Sequence, residues 1–205
     1  MSTLTVYSDL VDGYVGSDSA VYLTARAGGG NLGVSTGADS IVQGQSLGYN
    51  CFEGFISFDT SSIGAGTVTA ATLSLYAKSD YSVVDFTVYA RARDWGASLT
   101  TADWVAGADL SALPLLASVS TAGLSVAAYT ALSSESAFVS NINTSGSTRI
   151  ILTSARHEAG NPPPTGYEYV EWHSAEATAA YRPKLVVEYT AGISSHPYYY
   201  NMTYM

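Results

Sequence analysis

Charged residues are scarce in this 205-residue sequence, where they make up 12% of the chain, against roughly 25% in an average soluble domain. The few charges are mostly acidic: 17 Asp and Glu stand against 8 Lys and Arg, which gives a formal net charge of −9. Proteins that bind nucleic acid or an anionic membrane surface use Lys and Arg to neutralise phosphates. The composition therefore predicts a protein that binds no nucleic acid and inserts into no membrane.

Cysteine is almost absent, because Cys51 is the only one in the sequence. An intrachain disulfide and a Cys-x-x-Cys metal or redox motif are therefore excluded, and we expect Cys51 to be a small buried side chain. The longest apolar stretch, 110–119, contains Pro114 and is far too short to span a bilayer. The first ten residues lack the basic and apolar regions of a signal peptide, so we expect synthesis in a host cytoplasm without export.

What the sequence does contain is the alternation of apolar and polar residues that is typical of β-strands. Eight segments show it: 3–7, 20–25, 51–58, 68–77, 84–92, 148–153, 167–172 and 184–189. Turn residues separate these segments, and no long helical pattern lies between them. The sequence predicts an all-β fold, an antiparallel β-sandwich of jelly-roll type, over residues 1–190.

Short helical turns and a set of core positions complete this prediction. Thr100 and Asp103 have the spacing of a capping box, and Ser133 or Ser134 is suited to cap a second turn that carries Phe138. The apolar positions of the strands predict the core. These positions are Phe55, Ile56, Phe58, Leu73, Leu75, Phe86, Val88, Ile150, Leu152, Leu185 and Val187.

Three blocks of the sequence suggest a family. Residues 55–63 read Phe-Ile-Ser-Phe-Asp-Thr-Ser-Ser-Ile, residues 68–76 continue as an alternating strand, and residues 182–189 read Arg-Pro-Lys-Leu-Val-Val-Glu-Tyr. Together they resemble the core and closing strand of the DNRLRE-type domains, which are jelly-roll β-sandwiches related to carbohydrate-binding modules. The opening of the chain is similar to a variety found in phages and environmental viruses. This resemblance covers about residues 3–190 and bears on fold more than on function.

No catalytic motif is present. The histidines His157, His173 and His196 lie in separate contexts, and the sequence has no nucleophile elbow, zinc-protease motif or phosphate-binding loop. Four acidic residues are candidates for a glycosidase pair, but nothing in the sequence sets their separation. They are Glu53, Asp59, Glu168 and Glu171. We predict no enzymatic activity and no cofactor.

Asp9, Asp12 and Asp18 are close together in the sequence, with glycines between them. Carboxylates in turns suit Ca²⁺, although the spacing is not that of an EF-hand. The alternative is that all three are solvated turn aspartates, and we predict no metal site.

Exposed aromatic side chains are the requirement for sugar binding, since their faces stack on the apolar faces of pyranose rings. The candidate stacking residues are Tyr81, Trp95, Trp104, Tyr129 and Tyr167. For Trp95 and Trp104 burial at the end of the sandwich is the alternative.

Residues 191–205 differ from everything before them, because they are rich in tyrosine and carry no charged side chain. We predict an aromatic docking tail that binds a neighbouring copy or another protein. Its expected contact residues are His196, Tyr198, Tyr199, Tyr200 and Tyr204. The alternative is that the tail folds back and covers an edge strand of its own sandwich.

These observations together predict a non-enzymatic virion structural protein of a phage: a head decoration protein, a fibre or a tail-associated adhesin. The expected partners are other virion proteins or further copies of the chain, with a cell-surface glycan as an additional ligand. The alternative function is that of a secreted carbohydrate-binding module, which the family resemblance favours.

Overall fold

The computed structural model describes residues 1–192, which form thirteen β-strands and three short α-helices. The strands are β1 (Ser2–Tyr7), β2 (Gly13–Asp18), β3 (Asn31–Thr36), β4 (Ser40–Ser46), β5 (Asn50–Asp59), β6 (Thr67–Asp80), β7 (Thr87–Ala92), β8 (Leu115–Ser120), β9 (Tyr129–Ala131), β10 (Ser133–Ser134), β11 (Ser147–Ser154), β12 (Tyr167–His173) and β13 (Lys184–Thr190). The helices are α1 (Tyr22–Arg26), α2 (Ser136–Ser140) and α3 (Ala155–Ala159). Each helix has five residues and is too short to cross a membrane.

The strands form two sheets, and all of their pairings are antiparallel. The small sheet contains β1, β13, β6 and β9. The large sheet runs from β12 through β4, β5, β11, β7 and β8 to β10, and β2 and β3 extend it from the other edge of β5. The long strand β6 joins the two sheets, because it pairs first with β13 and then with β12. The predicted antiparallel sandwich is confirmed.

The main core lies between the two sheets and consists mainly of apolar side chains, with a few buried polar ones such as Thr148 opposite Phe58. Phe58 and Ile150 of the large sheet pack there with Leu73 and Leu185 of the small sheet, and Trp172 is its largest member. All eleven core positions that the alternation predicts are buried. Burial of each large apolar side chain stabilises the fold by about 1.5–3 kcal/mol, which makes this layer the main source of stability.

Strand β5 is buried on both of its faces. Ile56 and Phe58 belong to the main core, whereas Phe55 belongs to a second cluster with Trp95 and Leu110 on the opposite face. This second face is covered by α1, by α3 and by the segment 93–114, which we call the outer layer. The outer layer explains why Phe55 and Ile56 are both buried although they are adjacent in a strand.

The alternation predicts a strand over residues 20–25. This prediction is wrong, because the segment forms α1. Tyr22 and Ala25, three positions apart, face Cys51 on β5, while the apparent strand face of Val21 and Leu23 is exposed. Residues three apart share one face of a helix, and in so short a segment this spacing is easily confused with alternation. Cys51 itself is buried and free, as predicted.

The two predicted helical turns are present. Thr100 and Asp103 form the expected capping box around a 3-10 turn at Thr101–Asp103. The second turn is α2, whose Phe138 is buried in the main core. Its N-cap is Glu135 rather than either serine, because Ser133 and Ser134 form β10 and pair with β8.

Candidate functional site

Five aromatic side chains form a series of ring-to-ring contacts across the large sheet. The ring centroids of Tyr14 and Phe52 are 6.0 Å apart, and those of Phe52 and Tyr169 are 5.9 Å apart. Tyr169 continues to Tyr81 at 4.9 Å and to Tyr167 at 5.7 Å. We call these five residues the aromatic row. It joins β2, β5 and β12 to the segment that follows β6.

A glycine makes the middle of the row continuous. Gly44 on β4 lies directly between its register partners Phe52 on β5 and Tyr169 on β12. Its φ is +124°, and a Cβ atom at this position would lie 2.7 Å from the Cα of Tyr169 and 2.3 Å from the carbonyl oxygen of Glu168. Only glycine fits this conformation and this spacing. The two rings therefore meet across β4 without an intervening side chain.

Backbone hydrogen bonds hold the other end of the row in place. After β6 ends, the amide of Tyr81 donates to the carbonyl oxygen of Tyr169 at 3.0 Å, and the amide of Val83 donates to that of Tyr167 at 3.0 Å. These two bonds continue the pairing with β12 beyond the regular strand. Tyr81 is therefore fixed beside both tyrosines of β12.

An open cavity of about 240 Å³ lies at the first end of the row. Tyr14 and Phe52 provide its aromatic wall, and the glycines Gly16 and Gly33 provide a floor without side chains. Polar groups complete the lining: Ser17, Asp18, Asn31, Ser35 and Asn50. These side chains offer both donors and acceptors of hydrogen bonds.

A second open cavity, of about 370 Å³, lies at the other end, against Tyr81 and Tyr167. Its polar lining consists of Asp80, Ser82, Asp85 and Thr121. The first volume lies below the range of roughly 300–1,000 Å³ that small-molecule pockets occupy, and the second lies at the small end of that range. Each cavity is therefore suited to a segment of a longer ligand rather than to a ligand that is fully enclosed.

The exposure and charge of the site narrow the class of ligand. Tyr81 is 41% exposed and Tyr167 is 55% exposed, so these two rings are accessible to a ligand. No residue lining either cavity is Lys or Arg, whereas Asp18, Asp80 and Asp85 are acidic. Like charges repel across such a short distance. The site therefore disfavours anionic ligands.

Burial and the nearby carboxylate of Glu171 raise the pKa of the Tyr169 phenol. This phenol is therefore neutral at physiological pH and keeps its donor proton. Neutral phenols combine an apolar ring face with a hydroxyl group at the rim.

The five predicted stacking residues lie in three different regions: the aromatic row, the outer layer and the small sheet. Tyr81 and Tyr167 belong to the aromatic row. Trp95 is only 4% exposed and packs edge-on against Phe55, so the prediction of an exposed platform is wrong for this residue. Trp104 is half-buried in the outer layer, where its ring lies 5.5 Å from the imidazole of His157.

The fifth of these residues, Tyr129, lies on the small sheet, away from the row. Its hydroxyl donates to the carbonyl oxygen of Arg182 at 2.7 Å, Tyr76 packs edge-on against its ring at 5.1 Å, and the ammonium of Lys184 lies 4.7 Å from the ring centroid. Neighbouring groups thus engage its hydroxyl and its ring.

Sequence reasoning missed three members of the row: Tyr14, Phe52 and Tyr169. One signal was available, because Tyr167 and Tyr169 are two positions apart in a strand and must share a face. Tyr14 and Phe52 could not be placed without knowing that β2 pairs with β5. That pairing is non-local and leaves no local pattern.

The three N-terminal aspartates are not brought together. Asp9 accepts a hydrogen bond from Ser57 at 3.2 Å, Asp18 accepts one from Asn31 at 3.3 Å, and Asp12 is fully buried and accepts one from the amide of Ala175 at 2.9 Å. The expectation of a solvated side chain is therefore wrong for Asp12. Within residues 1–192, no group of three or more His, Cys, Asp or Glu side chains is arranged to hold a metal ion.

The candidate acids of a glycosidase pair have separate environments. Glu168 is buried, receives two hydrogen bonds from Arg156 at 2.5 and 3.0 Å, and accepts a third from Gln45. Glu53 is buried beneath the outer layer, where one of its oxygens accepts a hydrogen bond from the amide of Val105 at 3.1 Å. Desolvation raises the pKa of Glu53 well above its usual value.

Asp59 and Glu171 differ from the two buried acids. Asp59 is exposed and accepts a hydrogen bond from the amide of Ser61 at 3.0 Å. Hydrogen bonding by the side chain of Ser61, and secondly by its amide, lowers the pKa of Asp59. Glu171 is half-buried on β12.

The predicted docking residues of the tail, His196, Tyr198, Tyr199, Tyr200 and Tyr204, lie outside the described residues. No protein-family model matches this sequence, and no curated protein matches it either. The resemblance to the DNRLRE-type domains thus stays a prediction. The aromatic row and its two cavities are the features from which a function can be argued.

Proposed function

We propose that this chain is a non-enzymatic glycan-binding domain whose binding surface is the aromatic row. The observation that carries the proposal is the continuous contact of five rings between two polar cavities. A sugar ring has an apolar face of C–H groups and a rim of hydroxyls. Aromatic faces attract the former, and the side chains of Asn, Asp, Ser and Thr bind the latter.

The arrangement favours a linear, uncharged glycan. Successive ring centroids are 4.9 to 6.0 Å apart along the path from Tyr14 to Tyr81, and neighbouring rings are tilted or edge-on to one another, so the row is extended rather than flat. A row with a cavity at each end suits a chain that lies across the sheet. The acidic linings disfavour sulfated and uronic acid polymers, whose charge has the same sign.

The binding surface bears on both hypotheses derived from the sequence. A tail-associated adhesin of a phage and a secreted carbohydrate-binding module both require a glycan-binding face. A head decoration protein or a structural fibre does not. Among virion roles, the aromatic row therefore favours the adhesin.

Retention on immobilised neutral polysaccharides tests this proposal directly. We expect the protein to bind insoluble glucan or xylan and not to bind alginate, which is anionic. Tyr81→Ala and Tyr167→Ala should each weaken binding by about tenfold or more, which corresponds to the 1.4 kcal/mol expected of an aromatic contact residue.

Tyr181→Ala is the matched control, since Tyr181 is exposed to a similar extent, 38%, but packs against Tyr76 and His173 outside the row. This variant should bind like the wild type. Absence of binding to every neutral polysaccharide would overturn the proposal. Equal binding by the Tyr81 and Tyr167 variants and the wild type would overturn it as well.

Association with a virus particle is the second candidate, and the sequence of residues 191–205 favours it. An uncharged segment with four tyrosines is better suited to an interface than to solvent. Deletion of residues 193–205 should leave polysaccharide binding unchanged and abolish co-sedimentation with the particle. Co-sedimentation of the shortened chain would contradict the docking role of the tail.

A further inference from the structure

Strand β3 is an edge strand, which the 3-10 turn at Thr101–Asp103 approaches without pairing with it. It pairs on one side with β2, and on its other side no strand within residues 1–192 pairs with it. Its sequence, Asn31 to Thr36, contains no charged residue and no proline. Natural sheets normally protect such edges with Lys, Pro, a bulge or a covering loop, because free N–H and C=O groups are a template for another strand.

The side chains of β3 alternate in character. Leu32 is 37% exposed and Val34 is 44% exposed, and both lie on one face of the strand. Asn31, Gly33 and Ser35 alternate with them along the strand, and these three residues line the first cavity together with Val34. The edge thus combines exposed apolar side chains with part of the proposed binding surface.

We propose that β3 pairs antiparallel with β3 of a second copy of this chain, with Gly33 opposite Gly33. In this register Leu32 of each copy lies opposite Val34 of the other, so four apolar side chains cover one another. Asn31 lies opposite Ser35, and these two side chains can form hydrogen bonds. A two-fold axis through Gly33 makes the contact self-complementary, as a symmetric dimer requires.

A second copy fits this edge better than an unrelated peptide for two reasons. The alternation of β3 matches itself when the strand is reversed about Gly33, so a single sequence supplies both sides. No charged residue lies on β3, and no electrostatic repulsion within the strand pair opposes the contact.

This pairing joins two binding surfaces into one. The large sheet of one copy continues through β3 into the large sheet of the other, and the two first cavities become neighbours. A glycan chain that spans both cavities binds with an affinity that exceeds that of either site, because the second contact is intramolecular. The dimer itself does not depend on glycan binding.

The contact is small. A strand of six residues on each side buries much less than the roughly 1,600 Å² of a standard stable interface. We therefore expect a weak dimer that is best detected by covalent trapping.

The substitution Gly33→Cys allows the dimer to be captured as a disulfide between the two copies. A Cβ atom at Gly33 has no heavy atom within 4 Å, so the substitution leaves the chain undisturbed. The native Cys51 is buried and does not compete. Directly opposed residues of an antiparallel pair have Cα atoms about 4.5–5.5 Å apart, which permits a disulfide. Under mild oxidation we expect a disulfide-linked dimer on non-reducing gels.

Leu47→Cys is the matched control, since Leu47 is exposed and lies outside β3. Gly33→Cys should cross-link about tenfold faster than this control. Addition of Val34→Lys should reduce the rate to the control level, because a charged side chain then lies opposite Leu32 of the other copy, and charged side chains on an edge strand oppose pairing. Equal rates for Gly33→Cys and Leu47→Cys would overturn the proposal. An unchanged rate in the Val34→Lys background would overturn it too. Neither result bears on polysaccharide binding.

Discussion

The two buried layers on either side of β5 have different chemistry. Between the sheets, Phe58 and its neighbours form a predominantly apolar layer that contains no buried ion pair among the described residues. On the opposite face, beneath the outer layer, apolar side chains such as Phe55 are mixed with the buried polar groups Glu53 and His157. One strand therefore contributes to an apolar core and to a layer that contains buried charges.

Ion pairs account for much of this difference. The guanidinium of Arg91 binds both carboxylate oxygens of Glu158 at 2.7 Å, and Thr153 donates to the same carboxylate at 2.6 Å. Arg26 donates to the carbonyl oxygens of His157 and Glu158. Such a layer is stable only when every partner is present, because an unpaired buried charge is costly. The stability of the apolar core does not depend on pairing, since each apolar side chain stabilises the fold in proportion to the area it buries.

The largest expected effect is in the apolar core. Phe58→Ala should lower the free energy of unfolding by about 3–5 kcal/mol, since it removes a fully buried ring and leaves a cavity. Urea denaturation measures this loss. Leu10→Ala, at an exposed position, should change stability by less than about 0.5 kcal/mol. Similar losses for the two variants would show that Phe58 contributes no core packing.

Glu158→Gln tests the outer layer with a change of charge and almost none of shape. It leaves Arg91 buried without a counter-charge and should cost about 3 kcal/mol. The control is Glu188→Gln on β13, where the side chain is exposed. This control should be nearly neutral.

The double variant Arg91→Met/Glu158→Leu sharpens the same comparison. Replacement of both partners removes the unpaired charge, so this variant should be more stable than Glu158→Gln alone. If the double variant is less stable than the single one, the pair contributes through its geometry and our account of the outer layer is wrong.

The buried imidazole of His157 should make the outer layer sensitive to acid. Burial, with a smaller contribution from the charge of Arg26, lowers the pKa of His157 from 6.5 to about 3. Between these values the unfolded chain binds the proton and the folded chain does not. Stability should therefore fall as the pH decreases from 6.5 towards 3, by at most about 1.4 kcal/mol per pH unit.

His157→Gln isolates this contribution, because glutamine does not titrate. Urea denaturation at pH 7 and pH 4 should show a smaller difference for the variant than for the wild type. Parallel pH dependence in the two proteins would exclude His157 as the source.

An effect of opposite sign is expected at Asp12, a buried carboxyl beside Glu176 at the start of β2. Burial raises its pKa to about 8. Between pH 4 and 8 the folded chain keeps a proton that the unfolded chain has lost, so stability should decrease as the pH rises. Asp12→Asn keeps an acceptor for the amide of Ala175 and should show a flatter decrease in melting temperature from pH 5 to pH 8. A steeper decrease would contradict this assignment.

The apolar core could be read from the sequence because its signal is local. Alternation identified β1, β5, β6, β7, β11, β12 and β13, and every predicted core position is buried. The outer layer was largely missed. Its helix α1 was read as a strand, and α3 was not predicted. Helices of five residues present one or two buried side chains, too few to define a period.

The functional surface was predicted in part, for a similar reason. Tyr81 and Tyr167 were among the candidates, whereas Tyr14, Phe52 and Tyr169 were not. The row exists because strands distant in sequence are neighbours in the sheet, and this neighbourhood depends on topology rather than on local pattern. Sixteen tyrosines in the chain also make the individual candidates hard to distinguish.

Under the glycan-binding function that we propose, Gly44 would set the ligand length at a position that offers no side chain to the ligand. Any side chain there would meet the Cα and Cβ of Tyr169 within 3 Å and force β12 to shift. If that shift breaks the contact of Tyr169 with Phe52, one surface of five rings becomes surfaces of two and three. Under the proposed function, a single substitution would then replace one site for long polymers with two separate sites for short oligomers. Selectivity for chain length would change in one mutational step, although none of the five rings is itself substituted.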